Sequence, residues 1–323
     1  IYLEEEEIKP HLLVSALERL VEIHPTLRTS FFSQNGGQPC QIVRKEVKIP
    51  IEYIDNPDIE SKRELRQEYL MDLLKMDRET RPFDTENGTS LLYRIYLVRF
   101  SITAYGLALA WHHAIIDGWS NIEFLRTLFQ NYFIMKNAVS LPQKVPKNNS
   151  IKEFVAYEKK ICNCKEIKHF WEEKFRSHPI QNCNRFSIKE TEMDTSETLT
   201  QSCFIDNITG SKLIDNAKQR KLHFKFFFLS AYFKLLIDIL KSNKIAVGIV
   251  TNRRSPILSD PINSIGYFWN FIPFHLECLN GKNILPEEVK VELAKHFPYE
   301  SYPFEQILKD IEKSSEEVIS ATF

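Results

Sequence analysis

Glycine is scarce in this 323-residue sequence, at 9 residues. A fold that cradles phosphate in a glycine-rich loop is therefore not expected. Charge of one sign is also missing: 42 Lys+Arg against 43 Asp+Glu leave a formal net charge of −1. No global basic field is available to hold nucleic acid or an anionic membrane. Long hydrophobic runs are absent too. The most apolar stretch, Phe224 to Leu240, is interrupted by Lys225, Lys234 and Asp238, which predicts a buried helix and not a membrane span. The chain opens Ile1-Tyr2-Leu3 and then Glu4 to Glu7, without a basic n-region. No signal peptide is expected, and the missing initiator Met reads as a piece of a longer protein. The six cysteines, Cys40, Cys162, Cys164, Cys183, Cys203 and Cys278, include no C-x-x-C pair. They predict reduced thiols and a cytoplasmic location. Cys162, Cys164 and His169 lack a second ligand pair at zinc spacing, so no metal centre is expected.

What is present is globular: 43% hydrophobic and 26% charged residues. The length predicts two lobes. His11 to Ile23 has Leu13, Ala16, Leu17 and Leu20 on one helical face. Residues 27–32 and 41–43 predict a hairpin turning at Gln34-Asn35-Gly36-Gly37, residues 60–76 a charged helix, and residues 91–100 and 105–111 two strands. In the second of these, Leu107, Leu109 and Trp111 share one face, and Ala108, Ala110 and His112 the other. Residues 120–137 predict a helix opened by a capping box, Ser120 to Glu123. Residues 142–150 are the linker candidate, which divides the chain into an N-terminal lobe 1–141 and a C-terminal lobe 151–323. The second lobe predicts helices near 151–176, 209–220, 224–242 and 286–296, with strands near 198–206, 244–251 and 266–277. The expected fold class is α/β, an α+β sandwich of two lobes meeting at a cleft.

The sharpest motif is Trp111-His112-His113-Ala114-Ile115-Ile116-Asp117-Gly118-Trp119-Ser120. Two histidines close an apolar strand, and a helix start follows within a few residues. A strand end holds an imidazole rigidly, and a helix N-terminus offers N–H groups and a positive dipole end. Acyl transfer needs both: a base for the nucleophile's proton and donors for a tetrahedral oxyanion. Strand alternation lets only one of the two histidines face the cleft, and periodicity does not choose between them. Ser120 is explained as a helix cap, which leaves no nucleophile in a comparable setting.

His112-His113-x-x-x-Asp117-Gly118-Trp119-Ser120 resembles the central motif of nonribosomal peptide synthetase condensation domains, within the chloramphenicol acetyltransferase-like superfamily. Other stretches agree in the family's order: His24-Pro25-Thr26-Leu27-Arg28-Thr29-Ser30-Phe31, Arg81-Pro82-Phe83-Asp84, Phe154-Val155-Ala156-Tyr157, Ile265-Gly266-Tyr267-Phe268-Trp269-Asn270 and Tyr302-Pro303-Phe304-Glu305.

The resemblance implies two acetyltransferase-like lobes forming a V-shaped cleft, the second apparently truncated after the Tyr302-Pro303 element. It implies an enzyme that forms an amide bond between a donor acyl or peptidyl thioester and an acceptor aminoacyl thioester. His113 is then the catalytic histidine, as base or as positioning group, beside His112. Asp117 is structural and pairs with an arginine, matched to Arg253 with the adjacent Arg254 as the alternative. The Gly118 N–H faces the oxyanion, Trp119 and Ser120 complete the motif, and Asn270 lies on a strand bordering a tunnel. Arg28 is structural. No cofactor or metal is bound directly, because phosphopantetheine arrives on donor and acceptor carrier proteins. An adjacent adenylation domain is the further partner implied, with no nucleic acid and no membrane. Two other readings stand beside this one: a free-standing acyltransferase that uses coenzyme A thioesters, and a truncated module that only docks carriers.

Overall fold

The computed structural model describes residues 1–3, 8–33, 39–59, 62–139, 148–177, 201–278 and 284–314. The proposed hairpin turn at 34–37, most of the linker candidate 142–150, the first residues of the strand expected at 198–206, and Cys183 lie outside them. Packing divides the chain into two units, Ile1–Ala156 with Arg254–Phe268, and Tyr157–Arg253 with Trp269–Phe323. Residues 254–268, assigned to the C-terminal lobe by the sequence division, therefore pack with the first unit.

The first unit is built on a four-stranded sheet in the order β1 (Tyr2–Leu3), β6 (Tyr105–Trp111), β5 (Tyr93–Arg99) and β4 (Ile51–Asp55). β5 and β6 pair antiparallel with Tyr93 opposite Trp111, whereas β4 runs parallel to β5. The alternation along β6 sorts its two faces. Leu107 enters the main core, with Leu109 and Trp111 packed against it, beside α1 (Pro10–Ile23) and α3 (Gly118–Lys136). Ala108 faces Leu70 and Leu73 of α2 (Arg63–Thr80). α2 approaches so closely that a Cβ on Gly106 would lie 2.8 Å from the Leu70 side chain. Leu13, Ala16, Leu17 and Leu20 of α1 are all buried, as their spacing predicts. A separate antiparallel pair is formed by β2 (Thr29–Phe32) with β3 (Cys40–Val43).

His24, at the C-terminal end of α1, is buried. Burial, opposed by Glu123 and Asp260, pushes its imidazole down to about 4. The folded state therefore excludes a proton that the unfolded chain takes up near 6.5. Stability contributed at neutral pH is lost as pH falls from 6.5 through 4, on the order of 2–3 kcal/mol. His24→Gln should flatten that part of the stability profile in urea titrations between pH 7 and pH 4. An unchanged profile would remove His24 as its source.

The second unit pairs β7 (Lys244–Asn252) antiparallel with β8 (Trp269–Glu277). One group of helices, α4 (Ser150–Cys162), α5 (Lys165–Ser177) and α9 (Phe304–Ser314), supplies Ile161, Trp171 and Ile307 to a core shared with Ile272. α7 (Phe224–Leu240) and α8 (Pro286–His296) close a second core around Phe233, Phe274 and Val289, and α6 (Asn207–Gln219) precedes α7. The single helix expected over 151–176 is two helices, because the chain turns at Asn163 and Cys164. There the Asn163 side chain donates to the Lys159 carbonyl at 2.8 Å in place of a continuing helical bond. Gln201–Asp206 carries no strand. Among the described residues no helix is long and apolar enough to cross a membrane.

Candidate active site

The site is assembled where β6 runs out. β6 ends at Trp111, and His112 remains extended, its N–H donating to the Leu92 carbonyl at 2.9 Å. His113 then opens a single 3-10 turn that ends at Ile115. The strand stops before His113, so alternation no longer dictates where that ring points. Ile115 and Ile116 are buried and anchor the turn to the main core.

The two histidines sit in different surroundings. The His112 Nδ1 accepts from the Ala114 N–H at 3.2 Å, and its ring meets Phe83 edge-on at 6.1 Å. Burial, with the neighbouring His113 second, holds His112 below the ordinary imidazole range. His112 is thus a neutral, half-buried acceptor. His113 is exposed, and its ring stands perpendicular to that of Tyr267 at 5.5 Å.

Phe83 belongs to the Arg81-Pro82-Phe83-Asp84 stretch, which α2 positions through Asp77. That buried carboxylate accepts two bonds from Arg94, at 2.6 and 2.7 Å, and one from the Tyr96 hydroxyl. Burial raises the Asp77 carboxyl, but these donors outweigh it and hold the group below its usual range. Arg94 also lies 4.0 Å over the Phe83 ring, fixing the aromatic that touches His112.

The helix start differs from the expected capping box. The cap of α3 is Asp117, whose Oδ1 accepts from the Ser120 N–H at 2.7 Å. Ser120 turns its hydroxyl elsewhere: Oγ donates to the Gly266 carbonyl at 2.6 Å and accepts from the Gly266 N–H at 3.0 Å. Glu123, expected to reach back to the cap, instead pairs with Arg126 and accepts from Thr127. The local pattern fitted either cap, and Ser120 is taken by a partner 146 residues away.

The arginine is also corrected. Arg254, not Arg253, pairs with Asp117, through Nη2 at 3.3 Å, and the same nitrogen donates to Ser120 Oγ at 2.6 Å. Its Nη1 donates to the carbonyls of Pro261 and Ser264. Both side chains of the pair are buried. Burial lowers the Arg254 guanidinium from its ordinary value, opposed by Asp117. Arg253 belongs to the second unit, where it pairs with Glu158 and donates to the Trp269 carbonyl.

The remaining candidates divide likewise. Gly118 is the first residue of α3 and partly exposed. Trp119 is 47% exposed, with its indole N–H donating to the Ile262 carbonyl. Arg28 donates to the carbonyls of Val21 and Arg44, both backbone contacts within the first unit. Asn270 is in the second unit. Its amide donates to the carbonyls of Glu300 and Tyr302, and its oxygen accepts from the Phe304 N–H, so it clamps the Tyr302-Pro303-Phe304 segment. The structure thus brings His112, His113, Asp117, Gly118, Trp119 and Ser120 together in the first unit. Arg254, the alternative to Arg253, joins them, as do Phe83 and Tyr267, which lie within quoted motifs but were not singled out.

Just past the end of a strand of its α/β scaffold, the first unit thus presents an exposed imidazole, followed along the chain by a helix N-terminus latched by a buried ion pair. The family model "Condensation domain" matches residues 1–323, and the chain belongs to that family. It is 24% identical over 313 residues to the PKS-NRPS hybrid synthetase psoA of Aspergillus fumigatus, covering 92% of this chain and 7% of that protein. The chain thus spans a small part of that relative's length. Among solved structures, a four-domain nonribosomal peptide synthetase bound to AMP and glycine superposes with a TM-score of 0.74 at 20% identity, covering 98% of this chain and 23% of that one. The first condensation domain of the calcium-dependent antibiotic synthetase, in complex with a substrate analogue, gives 0.72 at 16% identity, covering 96% and 70%.

Proposed function

We propose that this chain forms amide bonds between a donor acyl or peptidyl thioester and an acceptor aminoacyl thioester, both carried on phosphopantetheine arms of carrier proteins. The observation that carries the reading is the exposed His113 imidazole at the close of β6, next to the first turn of α3. The acceptor amine attacks the thioester carbonyl carbon, and a C–N bond forms as the carbonyl oxygen becomes an oxyanion. The oxyanion is favoured beside the N–H groups of the α3 start. His113 takes the proton from nitrogen and delivers it to the leaving sulfur as the C–S bond breaks. Asp117 and Arg254 exchange no proton; they hold the loop on which His113 stands. The chemistry uses no metal and no cofactor of the chain's own. An adenylation domain that loads the carriers, and a cytoplasmic location, belong to the same reading.

The test uses the full-length protein with donor and acceptor carriers loaded separately. The expected product is an amide retained on the acceptor carrier, read by mass spectrometry. Equal turnover of coenzyme A thioesters with a free amine would favour the coenzyme A acyltransferase reading. Binding of loaded carriers without product would favour a docking module.

A further inference from the structure

We propose that Tyr267 is a positioning residue for the His113 imidazole, an assignment that rests on the reading of His113 given above. The segment Ile265 to Phe268 is tied down by bonds from the first unit. The Ile265 carbonyl accepts from the Thr26 hydroxyl at 2.9 Å. Gly266 exchanges two hydrogen bonds with Ser120 Oγ, and its carbonyl also accepts from the Asp117 N–H at 3.2 Å. The Phe268 N–H donates to Asp117 Oδ2 at 3.0 Å, and the buried Phe268 ring lies 4.1 Å from the Arg254 guanidinium. A Cβ on Gly266 would fall 2.0 Å from the end of the Ile151 side chain, so a larger residue there would require Ile151 to move. Ile265, Gly266 and Phe268 are buried, and Tyr267 is half-buried between them. Its ring is the one that meets His113, edge to face at 87°.

This arrangement gives Asp117 a route to the chemistry. The carboxylate holds residue 268, the hydroxyl of Ser120 holds residue 266, and the side chain between them is held against the imidazole. The perpendicular Tyr267 ring is one contact that limits which rotamers the His113 side chain adopts. An edge-to-face aromatic contact biases such a choice by roughly threefold to tenfold. Tyr267 therefore raises the fraction of His113 rings aimed at the reacting nitrogen, without touching substrate.

The experiment compares Tyr267→Leu, Tyr267→Phe and His113→Ala in the full-length protein. Tyr267→Leu should lower kcat roughly threefold to tenfold, leaving KM and the melting temperature unchanged. Tyr267→Phe keeps the ring and should restore kcat. With histidine side chains isotopically labelled, the His113 ring resonance, assigned by its loss in His113→Ala, should move in the Leu variant and stay in place in the Phe variant. Full kcat in Tyr267→Leu, with activity lost in His113→Ala, overturns the positioning role and leaves the catalytic reading standing. Equal losses in the Leu and Phe variants also overturn it, since the ring is then not what matters. Full activity in His113→Ala overturns the catalytic reading itself.

Discussion

His113→Ala should abolish most amide formation, lowering turnover of loaded carriers by about 10²–10³-fold, while the protein melts within about 1 °C of wild type. The two halves of this expectation have separate causes. The rate falls because a positioned proton acceptor is removed from the point where the amine loses its proton. The fold survives because His113 is exposed, and surface truncations away from buried networks cost little. His112 is the internal control. It accepts a backbone hydrogen bond and packs on Phe83, so His112→Ala should lower melting more than His113→Ala does. Turnover that persists in His113→Ala would take the imidazole out of the chemistry.

The largest stability effect is expected at Arg254. Removing one partner of a buried ion pair leaves the other charge uncompensated, at a cost of about 3–5 kcal/mol. Asp117 keeps its bonds from the Ser120 and Phe268 N–H groups, which places Arg254→Met near the lower figure. For a unit of this size that corresponds to a melting temperature lower by about 6–12 °C. Arg254 also donates to the Pro261 and Ser264 carbonyls and to Ser120 Oγ, so several groups lose a donor at once. Arg253→Met should cost less, because its partner Glu158 is 31% exposed and can turn to water. The reverse order in calorimetry would return the structural role to Arg253.

Much of this architecture was legible in the amino-acid order. The stripe of α1 and the β5–β6 pair follow from spacing that burial enforces, and the ranges of α8, β7 and α7 match as well. But α7 is not the buried helix its apolar run predicts, since Phe224, Phe228, Tyr232, Leu235 and Ile239 are exposed and only Ser230 and Phe233 are buried. The histidine loop was legible as a motif because strand, turn and helix start are local signals. What escaped was decided at long range. β4 pairs in parallel with β5, a register no turn specifies, and its residues alternate too weakly to mark it. α9 was noted only through the Tyr302-Pro303-Phe304-Glu305 stretch at its start. The adjacent Arg253 and Arg254 could not be told apart by spacing, because one packs in each unit. Ser120 and Asp117 both satisfy cap chemistry, and the distant Gly266 took the serine hydroxyl. Tyr267 carries no local signal, since its meeting with His113 joins positions far apart in the chain.

The latch on the histidine loop also sets an order of events during synthesis. Asp117 and Arg254 are 137 residues apart. At ordinary elongation speeds of about 5–20 residues per second, the nascent carboxylate waits roughly 7–27 s for its guanidinium. Through that interval the N-terminal sheet can form on the ribosome while the loop at its end has neither its arginine nor the Gly266 backbone to hold it. A ribosome stalled before the Arg254 codon therefore carries the sheet and the histidine loop without the ion pair that latches the α3 start.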